Sequence, residues 1–164
     1  MANDQLIAPL KRVPIFKRLS DIQISALASN AERVIIQSGE QIITADQPGD
    51  AAFLIIKGDA VVGNGQYAMD EQAGLPEGTF IGEIAMLTEI DYSTTITARS
   101  DVRALKFSRL MIRDLMRNNP ELAAHFVETL RLRMVGLAVK LRQIDQQLSS
   151  DFDTPAIEDI AELA

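Results

Sequence analysis

The sequence predicts a mainly β protein with flanking helices, an antiparallel roll or sandwich of short strands followed by a long C-terminal helix. Two observations lead there. Between residues 32 and 107 short β-branched runs alternate with turn-forming clusters at regular spacing, the mark of an antiparallel all-β body. Beyond Pro120 the apolar spacing changes to a heptad pattern that no strand can use.

The elements follow in order. Leu6, Ile7 and Leu10 precede Val13-Pro14-Ile15-Phe16 and read as short helical turns. Ser20 with Asp21 is an N-cap for a helix from Ile22 to Ala31, whose core face is Ile24, Leu27 and Ala28. Strands are expected at 33–37 and 41–44 around Ser38-Gly39-Glu40, a strand–turn–strand signal. Ala52 to Ile56 and Ala60 to Val62 flank Lys57-Gly58-Asp59, which reads as a hairpin. A weak strand around Tyr67 to Met69 and an irregular loop through Gly74, Pro76 and Gly78 come next. Ser93 to Ala98 and Val102 to Phe107 form the last two strands, around Arg99-Ser100-Asp101. Ser108 caps a helix from Arg109 to Arg117, and Asn119 before Pro120 opens the long one.

Along that helix Val127, Leu130, Met134, Leu137, Leu141, Ile144 and Leu148 are spaced 3, 4, 3, 4, 3, 4. A helix packing on its own domain buries a face wider than two positions in seven. The narrow seam therefore predicts a parallel homodimer through this helix. Residues 1–150 are expected to form one domain that includes the helix (about 120–149), and residues 151–164 an acidic tail.

Composition limits the function. The net charge is −7, and Asp151, Asp153, Glu158, Asp159 and Glu162 put −5 of it in the last 14 residues, leaving −2 on the rest. That balance argues against nucleic acid as a direct partner, because a phosphate backbone needs a basic face. Too little chain follows Ser150 for a helix-turn-helix, and its sign is wrong. No apolar run reaches the 18 to 20 residues or so of a membrane-spanning helix. Cysteine is absent, which removes disulfides and thiolate chemistry, and with no secretory signal in the first 20 residues a cytoplasmic location is expected. His125 is the one histidine, so no metal site is expected. Ser93, Thr94 and Thr95 have no base beside them, and Asp70 with Glu71 reads as a solvated pair; the chain is not expected to be an enzyme.

The wording of the turns resembles the cyclic-nucleotide-binding domain family of catabolite-activator-type regulators, kinase regulatory subunits and gated channels. The resemblance rests on Val13-Pro14-Ile15-Phe16, Gly39-Glu40, Pro48-Gly49-Asp50, Phe53-Leu54-Ile55-Ile56-Lys57-Gly58 and Phe80-Ile81-Gly82-Glu83-Ile84-Ala85-Met86-Leu87, and spans roughly residues 13–148. It implies an antiparallel double-stranded β-helix (jelly roll) followed by a dimerisation helix. It implies a regulatory module for cAMP or cGMP, with the last stretch as a phosphate-binding cassette and a ligand site at Ile81, Gly82, Glu83, Ile84, Ala85, Tyr92, Ser93 and Thr94. Ligand would then close the final helix over the roll.

The residues themselves agree on two points. Gly82 allows close backbone approach, and a helix starting at Glu83 would offer its amides to an anion. For the Glu83 carboxylate the resemblance implies a sugar hydroxyl as partner; the residues alone favour a carboxylate that merely complements a helix dipole. One position departs from the family pattern: Tyr92 stands where an Arg pairs with the cyclic phosphate, and no base occurs between Lys57 and Arg99. Losing one charged hydrogen bond, worth about 1.5–3 kcal/mol, weakens phosphate binding roughly ten- to a hundredfold. A domain that has lost the nucleotide and serves as a dimeric protein-interaction scaffold, or that binds another small molecule, is the alternative expectation.

Overall fold

The structure, a computed structural model, describes residues 4–63 and 74–152. Two compact units are present, Met1–Phe126 and Val127–Ala164. The expected strand near Tyr67 to Met69 and the tail after Phe152 lie outside the described residues.

The first unit opens with α1 (Asp4–Arg12), a 3-10 turn (Pro14–Phe16) and α2 (Asp21–Asn30). Ser20 caps α2 as expected: its Oγ accepts from the Gln23 amide at 3.3 Å, and Gln23 Oε1 accepts from the Ser20 amide at 2.9 Å. This reciprocal box satisfies two amides that a helix start otherwise leaves unpaired.

Among the described residues ten strands follow: β1 (Glu32–Ile36), β2 (Gln41–Ile43), β3 (Pro48–Gly49), β4 (Ala51–Lys57), β5 (Ala60–Val62), β6 (Gly74–Leu75), β7 (Phe80–Ile81), β8 (Ile90–Asp91), β9 (Ile96–Ala98) and β10 (Val102–Ser108). They form two four-stranded sheets, ordered β1-β10-β4-β7 and β2-β9-β5-β6, with β3 and β8 as a separate pair. Every pairing is antiparallel. This is the jelly roll that the turns implied.

The strand–turn–strand signals are not hairpins. β1 pairs with β10 and β2 with β9; β4 and β5 likewise lie in opposite sheets, as do β9 and β10. Each polar turn is a corner at which the chain leaves one sheet for the other. The corners are laced together instead. The Ser38 amide donates to Asp101 Oδ1 at 3.0 Å, and Gly39 N–H donates to Ala98 O at 2.7 Å. Arg99 Nε donates to Asp59 Oδ2 at 2.5 Å, and Ser100 Oγ accepts from the Asp59 amide at 3.0 Å. Hydrogen bonds to the Asp59 carboxylate itself, from the Arg99 guanidinium first and the Ser100 hydroxyl second, hold its pKa below the ordinary value. Gly58 at the β4–β5 corner has φ +91°, and a side chain there would run into the Asp101 carbonyl.

β4 is buried on both faces, so it reads as an unbroken apolar run. Ala52 and Leu54 face the helices, while Ala51, Phe53 and Ile55 face the interior of the roll. On the helix side Phe16 is fully buried against Phe80 (5.2 Å between ring centroids, edge to face), Phe107 (5.7 Å) and Phe126 (6.2 Å).

After β10, Ser108 caps α3 (Arg109–Asn118) by accepting from the Met111 amide at 3.2 Å. Asn119 Oδ1 accepts from the Leu122 amide at 3.0 Å and starts α4 (Pro120–Phe152), slightly longer than the expected 120–149. Leu122 and Phe126 belong to the core of the first unit. His125 ties the start of α4 to the 3-10 turn, with Nε2 2.5 Å from Ile15 O. The second unit is helical from Val127 to Phe152.

Candidate functional site

The cassette begins where β7 ends. Gly82 has φ +72°, in the left-handed region open to glycine, and turns the chain away from the sheet. From Glu83 to Leu87 the backbone makes consecutive turns rather than the expected regular helix. The Ala85 amide donates to Gly82 O, and the Leu87 and Thr88 amides both donate to Ile84 O, each at 3.0 Å. β8 then pairs with β3, placing Ile90 opposite Gly49 and Asp91 opposite Pro48.

Tyr92 follows at once, and its backbone is pinned from both sides: its amide donates to Gln47 O at 3.0 Å and its carbonyl accepts from the Asp46 amide at 2.9 Å. The ring lies between two glycines. A Cβ at Gly82 would stand 3.2 Å from the ring's Cε1 and 3.0 Å from Ala51 O; at Gly49 it would stand 3.1 Å from the same ring carbon and 2.6 Å from the Ala85 Cβ. Both glycines make room for this ring. The phenol donates to Ala51 O at 2.8 Å and accepts from the Ala51 amide at 3.3 Å. Burial, more than any other influence, raises its pKa above the ordinary tyrosine value.

Arg109, at the start of α3, braces the same loop from behind. Its guanidinium donates to Gly49 O at 2.7 Å, Thr88 O at 3.2 Å and Ala85 O at 3.3 Å, while its amide donates to Asp50 O at 2.6 Å. One side chain thus holds β3, the cassette turns and α3 together. Sequence reading passed over Arg109, because nothing near it in the chain marks its partners.

In front of the cassette is a cavity of about 340 Å³, within the range that small ligands occupy. All of Ile81, Gly82, Glu83, Ile84, Ala85, Tyr92, Ser93 and Thr94 line it. Its walls are otherwise largely apolar, with Ile43, Val62 and Ile96 among them. The charged side chains among the described lining residues are Glu83 and Asp91, both carboxylates. Among the described residues no cluster of His, Asp or Glu could hold a metal, and no helix is long and apolar enough to cross a membrane.

A glycine-started cassette lining a concavity in a jelly roll defines a class, and comparison with known proteins gives the same class. The family described as "Cyclic nucleotide-binding domain" matches residues 33–119, more than half of the chain. The protein belongs to the cyclic nucleotide-binding domain family. Among curated relatives it is similar to a cAMP-dependent protein kinase regulatory subunit of Yarrowia lipolytica, 30% identical over 95 residues, which cover 57% of this chain and 25% of the relative. It is also similar to a cyclic nucleotide-gated potassium channel of Rhizobium etli, 27% identical over 129 residues, 79% of this chain and 33% of the channel. The chain thus spans between a quarter and a third of these relatives' length. Among solved structures, the N-terminal domain of a transcriptional regulator from Streptomyces coelicolor shares the fold, with TM-score 0.68 and 23% identity over 80% of this chain and 94% of that one. A cyclic nucleotide-binding-like protein from Brucella abortus does so with TM-score 0.59 and 23% identity, over 68% and 97%.

Proposed function

We propose that the chain is a non-catalytic regulatory module that senses a small molecule in the roll cavity, either a cyclic nucleotide such as cAMP or cGMP or a compound of similar size. The observation that carries this reading is convergence. Eight residues drawn from the cassette and the stretch after β8 line one concavity in front of a braced turn. The kinase regulatory subunits and gated channel among its relatives support a signalling role over a catalytic one.

The module works as a homodimer in this reading. Val127, Met134, Leu137, Leu141, Ile144 and Leu148 are each more than half exposed on the described chain, and Leu130 is half-buried. Such a stripe is stable in water when a second copy covers it. The absence of cysteine is in keeping with a reducing, cytoplasmic setting.

A titration of the full chain with cAMP, cGMP and their nucleosides tests the sensing function. Saturable heat with any of them supports it, and heat no larger than dilution at millimolar ligand rejects it. Tyr92 favours a second reading, because its ring occupies the space between Gly49 and Gly82 and its hydroxyl is already bonded. In that reading the roll is a dimeric scaffold for a protein partner, and no small molecule shifts its melting temperature.

A further inference from the structure

The sheet that packs against the helices is not covered along its whole face. In the β1–β10 register Arg33 lies opposite Leu105 and Ile35 opposite Arg103, so these four share one face with the two arginines on its diagonal. Val34 and Ile36 turn the other way, toward the interior of the roll. Leu105 belongs to the helix-side core, yet Ile35 on the same face is 73% exposed. Here the sheet and the start of α1 enclose a second cavity of about 420 Å³, lined by apolar Leu6, Ile35, Ile56 and Leu105 and by Arg33 and Arg103. It shares no described lining residue with the roll cavity.

Its charge is one-sided. No described lining residue is acidic, and among the described residues no side-chain hydrogen bond or ion pair engages Arg33 or Arg103. The acids near them in the chain are occupied elsewhere: Glu32 lies 3.9 Å from Lys106 Nζ, and Asp101 accepts from the Ser38 amide at 3.0 Å. Two guanidiniums set across an apolar patch are matched by carboxylates, which each can hold with paired hydrogen bonds.

The backbone adds a second determinant. β1 is the edge of its sheet, with β10 as its one strand partner among the described residues. An edge strand is a template for a further strand, and a strand added there sends every second side chain onto the face of Arg33 and Ile35. A small anion would use the arginines and leave the edge idle. An extended peptide uses both.

We propose that this groove docks an extended acidic segment of a partner protein, which adds to β1 and sets carboxylates against Arg33 and Arg103 and apolar side chains against Ile35. The proposal goes beyond the ligand-sensing reading and gives the module a surface through which a partner engages it.

A short labelled peptide of alternating Glu and Val, capped at both ends, supplies that chemistry. Alternating Lys and Val keeps the strand propensity and reverses the charge, and alternating Glu and Ser removes the apolar side chains. Anisotropy titration of the full chain is expected to show saturable binding of the Glu-Val peptide, at least tenfold tighter than either control. Arg33→Glu with Arg103→Glu is expected to weaken that binding tenfold or more. Arg33→Gln with Arg103→Gln, a milder change at the same exposed positions, is expected to weaken it about threefold. Hydrogen exchange across residues 32–36 is expected to slow when the peptide binds.

The proposal is overturned if the Glu-Val peptide shows no saturable binding at millimolar concentration, or if the Lys-Val peptide binds as well. Binding unchanged in both folded variants overturns it too, as does slowed exchange that spares residues 32–36. Decanoate bound through the two arginines where the peptide fails would make this a small-anion site instead. Variants that self-associate while no peptide binds would leave the arginines only the task of keeping the sheet edge soluble. None of these outcomes bears on the titration of the roll cavity.

Discussion

Tyr92 and Arg109 hold the cassette from opposite sides, and they do so by different physics. The Tyr92 phenol is half-buried and exchanges two hydrogen bonds with the Ala51 peptide. Tyr92→Phe leaves that peptide short of a partner, so a loss of about 1–2 kcal/mol is expected in urea denaturation at neutral pH. The pH dependence has a definite sign. Burial raises the Tyr92 pKa above 10.0, so its contribution is complete below that value and declines as pH climbs through the raised one. The gap between the unaltered chain and Tyr92→Phe should accordingly narrow in alkali, and a gap that widens there would contradict the burial argument. Arg109 acts through charge-assisted bonds to three carbonyls. Arg109→Ala is expected to cost about 2–3 kcal/mol and to raise hydrogen exchange across residues 83–92 before the rest of the roll is affected. Uniform protection loss would place its role in global stability alone.

At the scale of elements, the corners carry as much organisation as the strands. Asp59 and Arg99 lock the β4–β5 corner to the β9–β10 corner. Since that contact lowers the Asp59 pKa from 3.8, its stabilisation is present above 3.8 and is lost as pH falls through the depressed value. Thermal melts of Asp59→Asn against the unaltered chain should differ most near pH 7 and converge in acid. Helix starts were the most legible elements, because Ser20, Ser108 and Asn119 satisfy amides only three residues away. The longer strands were legible from their apolar runs, but β9 begins at Ile96 rather than Ser93, and the two-residue strands β3, β6, β7 and β8 are too short to leave an alternating pattern and were not read as strands. Strand partners were not legible: Lys57-Gly58-Asp59 has the composition of a hairpin turn, and the same composition serves a corner, so the pairing is decided by segments far along the chain. The candidate site divides likewise. Gly82 and Glu83 announce themselves by sequence, whereas the brace from Arg109 to Gly49 spans 60 positions and leaves no local trace.

For the molecule as a whole, the two units have different requirements. The first is closed by its own core, with Phe16, Phe107 and Phe126 almost wholly buried. The second is a helix whose apolar stripe has no cover within the described chain. Leu137→Glu with Leu141→Glu places carboxylates at adjacent seam positions. Light scattering on the unaltered chain should return twice the mass of one chain, and on the double variant a single chain, with the melting transition of the roll retained. A monomeric unaltered chain at micromolar concentration would remove the homodimer.

The partnering of β1 with β10 also shapes how the protein is made. Glu32 meets Lys106 and Ile36 meets Val102, so β1 leaves the ribosome well before β10, the strand it pairs with. At about 5–20 residues per second, some seventy intervening residues take roughly 4–14 s to synthesise. Through that interval β1 has neither its ladder nor the completed roll interior, and the nascent roll depends on whatever shields Val34 and Ile36 until translation delivers their mate.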